Sequence, residues 1–284
     1  MLTFTYKNEY GAVTFYGSGS HSFMIKNYEG LSLVEKEYEI LTYAGVDGQE
    51  TISFRAMPRI ITISVDITDK SARDMLRNAV KVLRHEGYLY ITDDEFKRRI
   101  YCNQTTISEP EKILRGIIAS FAVQFVCDNP YFEDEKEITL DLYGRVKNII
   151  TPFTLPRMFA ISANKVPIEN IGDKDIEPKI IININQMISD SYLEVVLNDK
   201  SVLTIENYST GKHNNDKVTI DVKNRTIKSF KSGNLINKLS FNSFLENLIL
   251  KPGKNYIEIN TKDVTDNITA QCVYVNLYSE AIII

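Results

Sequence analysis

Apolar and polar residues alternate along most of this chain, most clearly between Ala119 and Phe132. Phe121, Val123, Phe125 and Cys127 fall on one side of an extended segment, with Ala122, Gln124 and Val126 on the other. Side chains of a strand alternate with period two, so this stretch predicts a strand burying one full face and much of the second. Asp128-Asn129-Pro130 ends it, because proline lacks a backbone donor and turns its predecessor away from helix. Tyr131, Phe132 and the acidic run Glu133–Glu137 follow. The pattern predicts the last, central strand of a first domain, an aromatic corner and an exit into a linker.

Upstream, Leu2 to Tyr16 alternates and stops at Gly17-Ser18-Gly19, and a strand over His21–Ile25 follows. Tyr38–Tyr43 and Thr51–Phe54 flank Ala44–Gly48, and Asp47-Gly48 suggests a hairpin whose central residues take positive φ. That arm reads as polar on both sides, so it is expected to project. Pro58–Ile67 is a further strand. Ala72, Met75, Leu76, Ala79, Val80 and Leu83 repeat at helical spacing, predicting one helix from Ser71 to Arg84 with a single buried stripe. Ser71 with Asp74 resembles a helix start, and Gly87 lies just past its end. Gly87–Thr92 and Arg99–Gln104 form a hairpin closed by Asp93–Arg98. The first half is therefore a β-rich domain with one covering helix, a small barrel or a folded sheet.

Residues 133–170 read as a connector, with Pro152 and Pro156 resisting regular structure. A second all-β series then predicts strands over Lys179–Asn185, Tyr192–Leu197, Ser201–Asn207, Lys217–Val222, Arg225–Phe230, Asn255–Asn260 and Thr269–Tyr278. Turns fall at Lys223-Asn224 and Lys251–Lys254. Short strands at regular spacing, without a helical period between them, indicate an antiparallel sandwich.

Composition narrows the function classes. Sixteen Tyr and 13 Phe with no Trp lean towards strands. Residues 1–140 carry 16 Lys and Arg against 21 Asp and Glu, and the remainder 17 against 16. Neither half has the basic excess that phosphate-backbone binding requires, so no sequence-specific nucleic-acid binding is expected. The N-terminus shows no secretory signal, and the longest apolar stretch, Gly116–Cys127, is too short for a bilayer span of ~20 residues. Cys102, Cys127 and Cys272, odd in number and widely spaced, suit buried hydrophobes better than disulfides or a zinc site.

No catalytic, cofactor or metal residues stand out. His21, His85 and His213 are scattered, without metal-ligand spacing. Asp93–Glu95 and Glu133–Glu135 read as solvated surface and lack the glycine and spaced oxygens of a calcium loop. A glycosidase carboxylate pair would come from distant strands, and no specific pair is indicated. Gly17-Ser18-Gly19 lacks the downstream glycine and lysine of a phosphate loop. Lys97-Arg98-Arg99 reads as a solvated edge or subunit contact. The sequons at Asn103, Asn207, Asn224 and Asn267 carry little weight without a secretory signal.

Taken in order, several segments resemble the phage distal tail protein family, which also occurs in phage tail-like bacteriocins. Phe121–Phe132 resembles the stretch that closes its first domain, with Asn129 a departure that leaves the turn intact. Gly45–Gly48, Arg59–Ile63, the helix from Ser71, and Arg99–Cys102 precede it in the family's order. Asn170–Asp173 before Pro178, Thr219–Asp221 before Asn224–Thr226, and Leu250–Asn255 resemble its galectin-like domain. The resemblance covers nearly the whole chain.

It implies a mainly β (β-rich α+β) fold. A ring-forming, split-barrel-like domain with one helix would span 1–137, a connector 138–170, and a galectin-like or carbohydrate-binding-module-like β-sandwich 171–284. It further implies a non-enzymatic, cofactor-free hub of the virion or tail-like particle, at the tail tip or baseplate. The partners implied are five further copies in a homo-hexamer, the tail tube protein, the tail-tip hub or tail-associated lysin, the tape measure protein, and receptor-binding proteins. Membrane insertion is not expected. The alternative is a carbohydrate-binding adhesion module with Tyr192, Tyr208 and Tyr256 as candidate sugar platforms. A polysaccharide-degrading enzyme rests on fold analogy alone.

Overall fold

The strand expected around Phe121 runs from Ile118 to Cys127 and is paired along both edges in the computed structural model. That structure describes residues 2–18, 22–67, 72–114, 118–142, 166–186, 191–208, 215–262 and 267–281. The chain forms two compact units: residues 1–135 with 277–284, and residues 136–276.

Unit 1 begins with β1 (Thr3–Asn8), β2 (Gly11–Tyr16) and β3 (Phe23–Glu29). β4 (Lys36–Leu41), β5 (Glu50–Ala56) and β6 (Arg59–Ile67) precede the helix α1 (Ala72–Leu83). β7 (Gly87–Thr92), β8 (Lys97–Cys102), β9 (Gln104–Ile107) and β10 (Glu111–Leu114) lead to β11 (Ile118–Cys127) and β12 (Phe132–Asp134). One sheet runs β10-β11-β6-β3-β2-β1-β7-β8-β12, with β9 also on β11. Of the two forms expected, a small barrel or a folded sheet, it is the folded sheet, and among the described residues it does not close on itself. β2 and β3 meet at a single parallel bridge, Tyr16↔Met24, so the ladder nearly parts at its middle.

Alternation explains the core. Ile61, Ile63, Val65 and Ile67 of β6 lie beside Phe121, Val123 and Phe125 of β11, and all are buried. Leu83 and Ala79 of α1 join the same cluster, with Phe4, Tyr6 and Phe15 from the opening strands. The segment expected as one run over Leu2–Tyr16 is a hairpin, β1 with β2. Its turn rests on Asn8, whose Oδ1 accepts the Tyr10 N–H at 3.0 Å, a side-chain turn that no glycine pair announces. Ser71, the expected helix start, lies outside the described residues.

Unit 2 holds two sheets. β13 (Ile138–Asp141), β14 (Val166–Asn170), β15 (Lys179–Gln186), β16 (Ser191–Leu197) and β17 (Lys200–Tyr208) come first. β18 (Asp216–Asp221), β19 (Thr226–Ser229), β20 (Gly233–Asn234), β21 (Gly253–Thr261) and β22 (Asn267–Tyr274) complete it. The six-stranded sheet runs β13-β22-β15-β18-β19-β20 and the four-stranded one β14-β21-β16-β17, with every pairing antiparallel. Ile180, Ile182 and Ile184 of one sheet and Leu193, Val195 and Ile257 of the other are buried. The stretch expected as a connector over 138–170 thus begins and ends in strands of these sheets, because Ile138–Asp141 and Val166–Asn170 satisfy their backbones on β22 and β21. Thr151–Arg157 lies outside the described residues.

The chain then returns to unit 1 as β23 (Leu277–Tyr278), which pairs with β12. The first unit therefore extends beyond the boundary expected from sequence. Arg59 fastens this return. Its guanidinium is buried and donates to the carbonyls of Pro130 (2.7 Å), Gly30 (2.6 Å), Ser32 (2.7 Å) and Ser279 (2.5 Å), with the Phe132 ring 4.5 Å away. Gly30 permits the approach: its φ is +90°, and a Cβ there would lie 2.1 Å from the Ile60 carbonyl oxygen.

Arg59→Met is expected to destabilise unit 1 by ~3–5 kcal/mol in urea unfolding, since it strands four buried carbonyls. Arg59→Lys should recover only part, because an ammonium cannot match the planar fork. A loss below about 1 kcal/mol for Arg59→Met would mean that the clamp is dispensable.

Candidate functional site

β4 and β5 form a two-stranded arm that pairs with no other strand among the described residues. The Met57 N–H donates to the Glu35 carbonyl at 2.9 Å and closes its base. The arm leaves the body as expected, but its faces differ from the expected polar pair. Opposed residues of an antiparallel pair share a face, and successive residues alternate. Tyr38 opposes Phe54, with Ile40 two residues on, so one face is apolar. Glu37 opposes Arg55 and Glu39 opposes Ser53, so the other is charged.

The apolar face is in solvent: Tyr38 is 56%, Ile40 46% and Phe54 61% exposed. The Tyr38 and Phe54 rings stand 6.1 Å apart, and Lys36 Nζ lies 4.6 Å from the Phe54 ring centre. On the other face Arg55 pairs with Glu37 at 2.5 Å and Ser53 Oγ donates to Glu39 at 2.9 Å. Such exposed pairs hold geometry and add little stability. The tip is a longer loop than a two-residue turn. Gly45 and Gly48 take positive φ, and Asp47 does not. Carboxylates dominate the arm, with Glu37, Glu39, Asp47 and Glu50 against Lys36 and Arg55. Two open edges and an uncovered apolar face are the features of a strand-pairing contact.

Lys97-Arg98-Arg99 is not the solvated edge that its composition suggests. β8 alternates, so Arg98 points inward, where its guanidinium lies 3.9 Å from the Tyr278 ring centre and donates to the Glu280 carbonyl. Arg99 pairs with Glu133 at 3.2 Å, and neither side chain is more than 17% exposed. Glu133 is thus a buried partner and not solvated surface. Burial works to lower the Arg99 guanidinium, but attraction from Glu133 and Tyr88 together with the hydrogen bond to Glu133 leaves it above its ordinary value.

His85 stacks on Tyr10 at 3.8 Å, and its carbonyl accepts the Tyr6 hydroxyl at 2.5 Å. His21 and His213 lie outside the described residues. Gly17 answers to packing, since its N–H donates to the Leu2 carbonyl and a Cβ would sit 2.8 Å from that oxygen. Asp93 and Asp94 form the β7–β8 turn, where the Asp93 N–H donates to the Phe96 carbonyl and the Asp94 N–H to Asp93 Oδ1. Among the described residues no three His, Cys, Asp or Glu converge as metal ligands. Asn103 Oδ1 accepts the Asp128 N–H and Asn224 Nδ2 donates to Asp221. The side chains of Asn207 and Asn267 lie outside the description.

The proposed sugar platforms do not come together. Leu193 pairs with Thr261 and Leu197 with Ile257, so Tyr192 and Tyr256 stand at opposite ends of the β16–β21 ladder. Tyr256 faces Asn198, six residue steps along the strand from Tyr192, ~20 Å at the rise of a strand. The Tyr208 side chain lies outside the description. Among the described residues, the aromatics most exposed in unit 2 are Phe230 (85%) and Phe241 (95%), which sequence reading passed over as sugar platforms. Phe230 directly follows the buried Ser229, so alternation alone put it outward.

Neither a family model nor a curated protein matches the sequence. Among solved structures, the Dit protein of phage SPP1 matches 98% of this chain and 99% of its own, with a TM-score of 0.66 at 15% identity. This chain has the fold of a phage Dit protein. The SPP1 Dit protein is described as a paradigm of the hub adsorption apparatus in Gram-positive infecting phages. Two structures of the phage P2 baseplate in its activated conformation, with Ca and with Sr, match 96% of this chain at 10% and 9% identity, with TM-scores of 0.46 and 0.44. In this Dit-like chain the arm is an element of unit 1.

All three cysteines are buried, and burial makes Cys102 and Cys272 poor nucleophiles. Desolvation pushes the Cys272 thiol up to about 12 and the Cys102 thiol well above its ordinary value. The thiolate is the reactive form, so alkylation at pH 8 should label Cys272 only after unfolding. Its folded value is raised, so the contribution of Cys272 to stability is complete below pH 9 and is lost as the pH climbs towards about 12. Replacing Cys272 with Ala should flatten that alkaline decline in unfolding titrations, and an unchanged slope would assign the decline elsewhere.

Proposed function

We propose that this chain is the structural hub of a phage tail, or of a tail-like bacteriocin particle, located at the tail tip or baseplate. Six copies close a ring through unit 1. That ring joins the tail tube to the tip complex, next to the tape measure protein and the tail-associated lysin. Unit 2, a galectin-like sandwich in this reading, holds receptor-binding components. The role is structural and needs no cofactor.

The observation that carries this reading is the end-to-end match to the SPP1 Dit fold, which spans both units. The arm supports it independently. A two-stranded hairpin is marginal in water unless something packs on it, and this one presents Tyr38, Ile40 and Phe54 to solvent. A neighbouring subunit supplies the missing cover. The adhesion reading has less support, since Tyr192 and Tyr256 stand at opposite ends of a ladder.

Light scattering on a sizing column should give a mass near six times 32.5 kDa at high concentration. Tyr38→Ser with Phe54→Ser should shift the chain towards monomer while leaving unfolding within about 0.5 kcal/mol, as expected of exposed positions. A chain that stays monomeric at every concentration would count against the ring, and full assembly by the double variant would remove the arm from it.

A further inference from the structure

Unit 1 carries a second unpartnered feature besides the arm. Beyond the bridge Tyr16↔Met24, β3 does not reach β2, so among the described residues Gly11–Phe15 have no strand on that side. α1 stands across from this open edge. Between them lies a groove of about 480 Å³, lined chiefly by Ala12, Thr14, Phe23, Met75, Asn78 and Lys81. Among the described residues Lys81 is its one charged lining residue, and Arg77 is exposed one helical turn earlier, with Asp74 nearer the start of the helix. A strand edge beside an apolar wall is the form that takes up an extended segment by strand addition.

We propose that this groove receives the arm of a second copy of the chain. The apolar face of Tyr38, Ile40 and Phe54 meets the apolar wall, and the arm's excess carboxylates meet Lys81 and Arg77. Three features of the chain select this occupant. The arm is already a ribbon with free edges, its exposed apolar face needs cover, and its four carboxylates against two cations complement a groove whose lining charge is positive. Arm and groove are different surfaces of unit 1, so the contact is head-to-tail, the type that generates rings when its rotation closes. The inference rests on the ring-forming reading and adds the receiving surface to it.

The test is a cross-link in the full chain. Asn78→Cys in the groove combined with Tyr38→Cys on the arm, under mild oxidation, should give a reducible ladder of covalent oligomers ending at the hexamer. Either substitution alone should give none, because the native cysteines are buried. Thr14→Cys replaces Asn78→Cys if the helix variant misfolds. Lys81→Glu should raise the concentration for half-assembly roughly tenfold, and added salt should raise it for the unsubstituted chain. If the doubly substituted chain assembles fully without a ladder, the ring stands and the groove is not its contact. A ladder from either single variant also overturns the assignment. If the unsubstituted chain never assembles, the ring reading falls and this inference falls with it.

Discussion

The buried guanidinium of Arg59 is the interaction on which unit 1 depends. A charged group in the interior is tolerable only when its donors are met, and this one meets four carbonyls from three distant parts of the chain. Gly30 and Ser32 belong to the loop that leads into the arm, Pro130 to the turn after β11, and Ser279 to the returning C-terminal segment. One planar fork therefore fixes the approach to the arm, the exit of the central strand and the last residues together. Arg98 repeats the device on the same returning segment, through Tyr278 and Glu280. The adjacency of β12 and β23 has a topological consequence. Unit 2 is strung between two neighbouring strands, so inserting it asks little separation of its ends and little loop-closure entropy of unit 1.

Much of this architecture was legible in the amino-acid pattern. Six of the seven strands expected in the second half formed as single strands, as did the helix, and the seventh, Thr269–Tyr278, is divided between β22 and β23; period-two and 3.6-residue spacing are local signals that burial amplifies. β12 and β13 went unseen, and the break that separates β23 from β22 with them, since strands of two to four residues are too short to show a period. The return of the chain to unit 1 was hidden for another reason. Arg98 is inward because β8 alternates through Arg98, Ile100 and Cys102, and an inward cation demands partners. Those partners lie some 180 residues later, where no local pattern points to them.

The arm shows the same limit at closer range. Tyr38, Ile40, Phe54, Glu37 and Glu39 are all in the sequence, yet their sorting into an apolar and a charged face depends on which residues stand opposite. The register shift between Glu39 and Ile40 places a bulge beside Ile52, which composition does not reveal. Read strand by strand, the arm looks polar on both sides. Paired, it is amphipathic, and that change is what makes it the contact surface of the proposed ring.

In the proposed ring, an apolar ribbon without a core of its own also bears on how copies would assemble. An isolated hairpin is marginal in water, so in that proposal association must offset the cost of ordering two strands. Affinity per contact is correspondingly modest, and a head-to-tail ring gains from closure, where the last copy makes two contacts for one loss of free motion. Weak single contacts with a strong closed product favour monomer while copies are scarce and the complete ring once they accumulate. The exposed Glu37–Arg55 and Glu39–Ser53 pairs fit that balance, since they keep one face of the ribbon hydrated and its register fixed while the other waits for a partner.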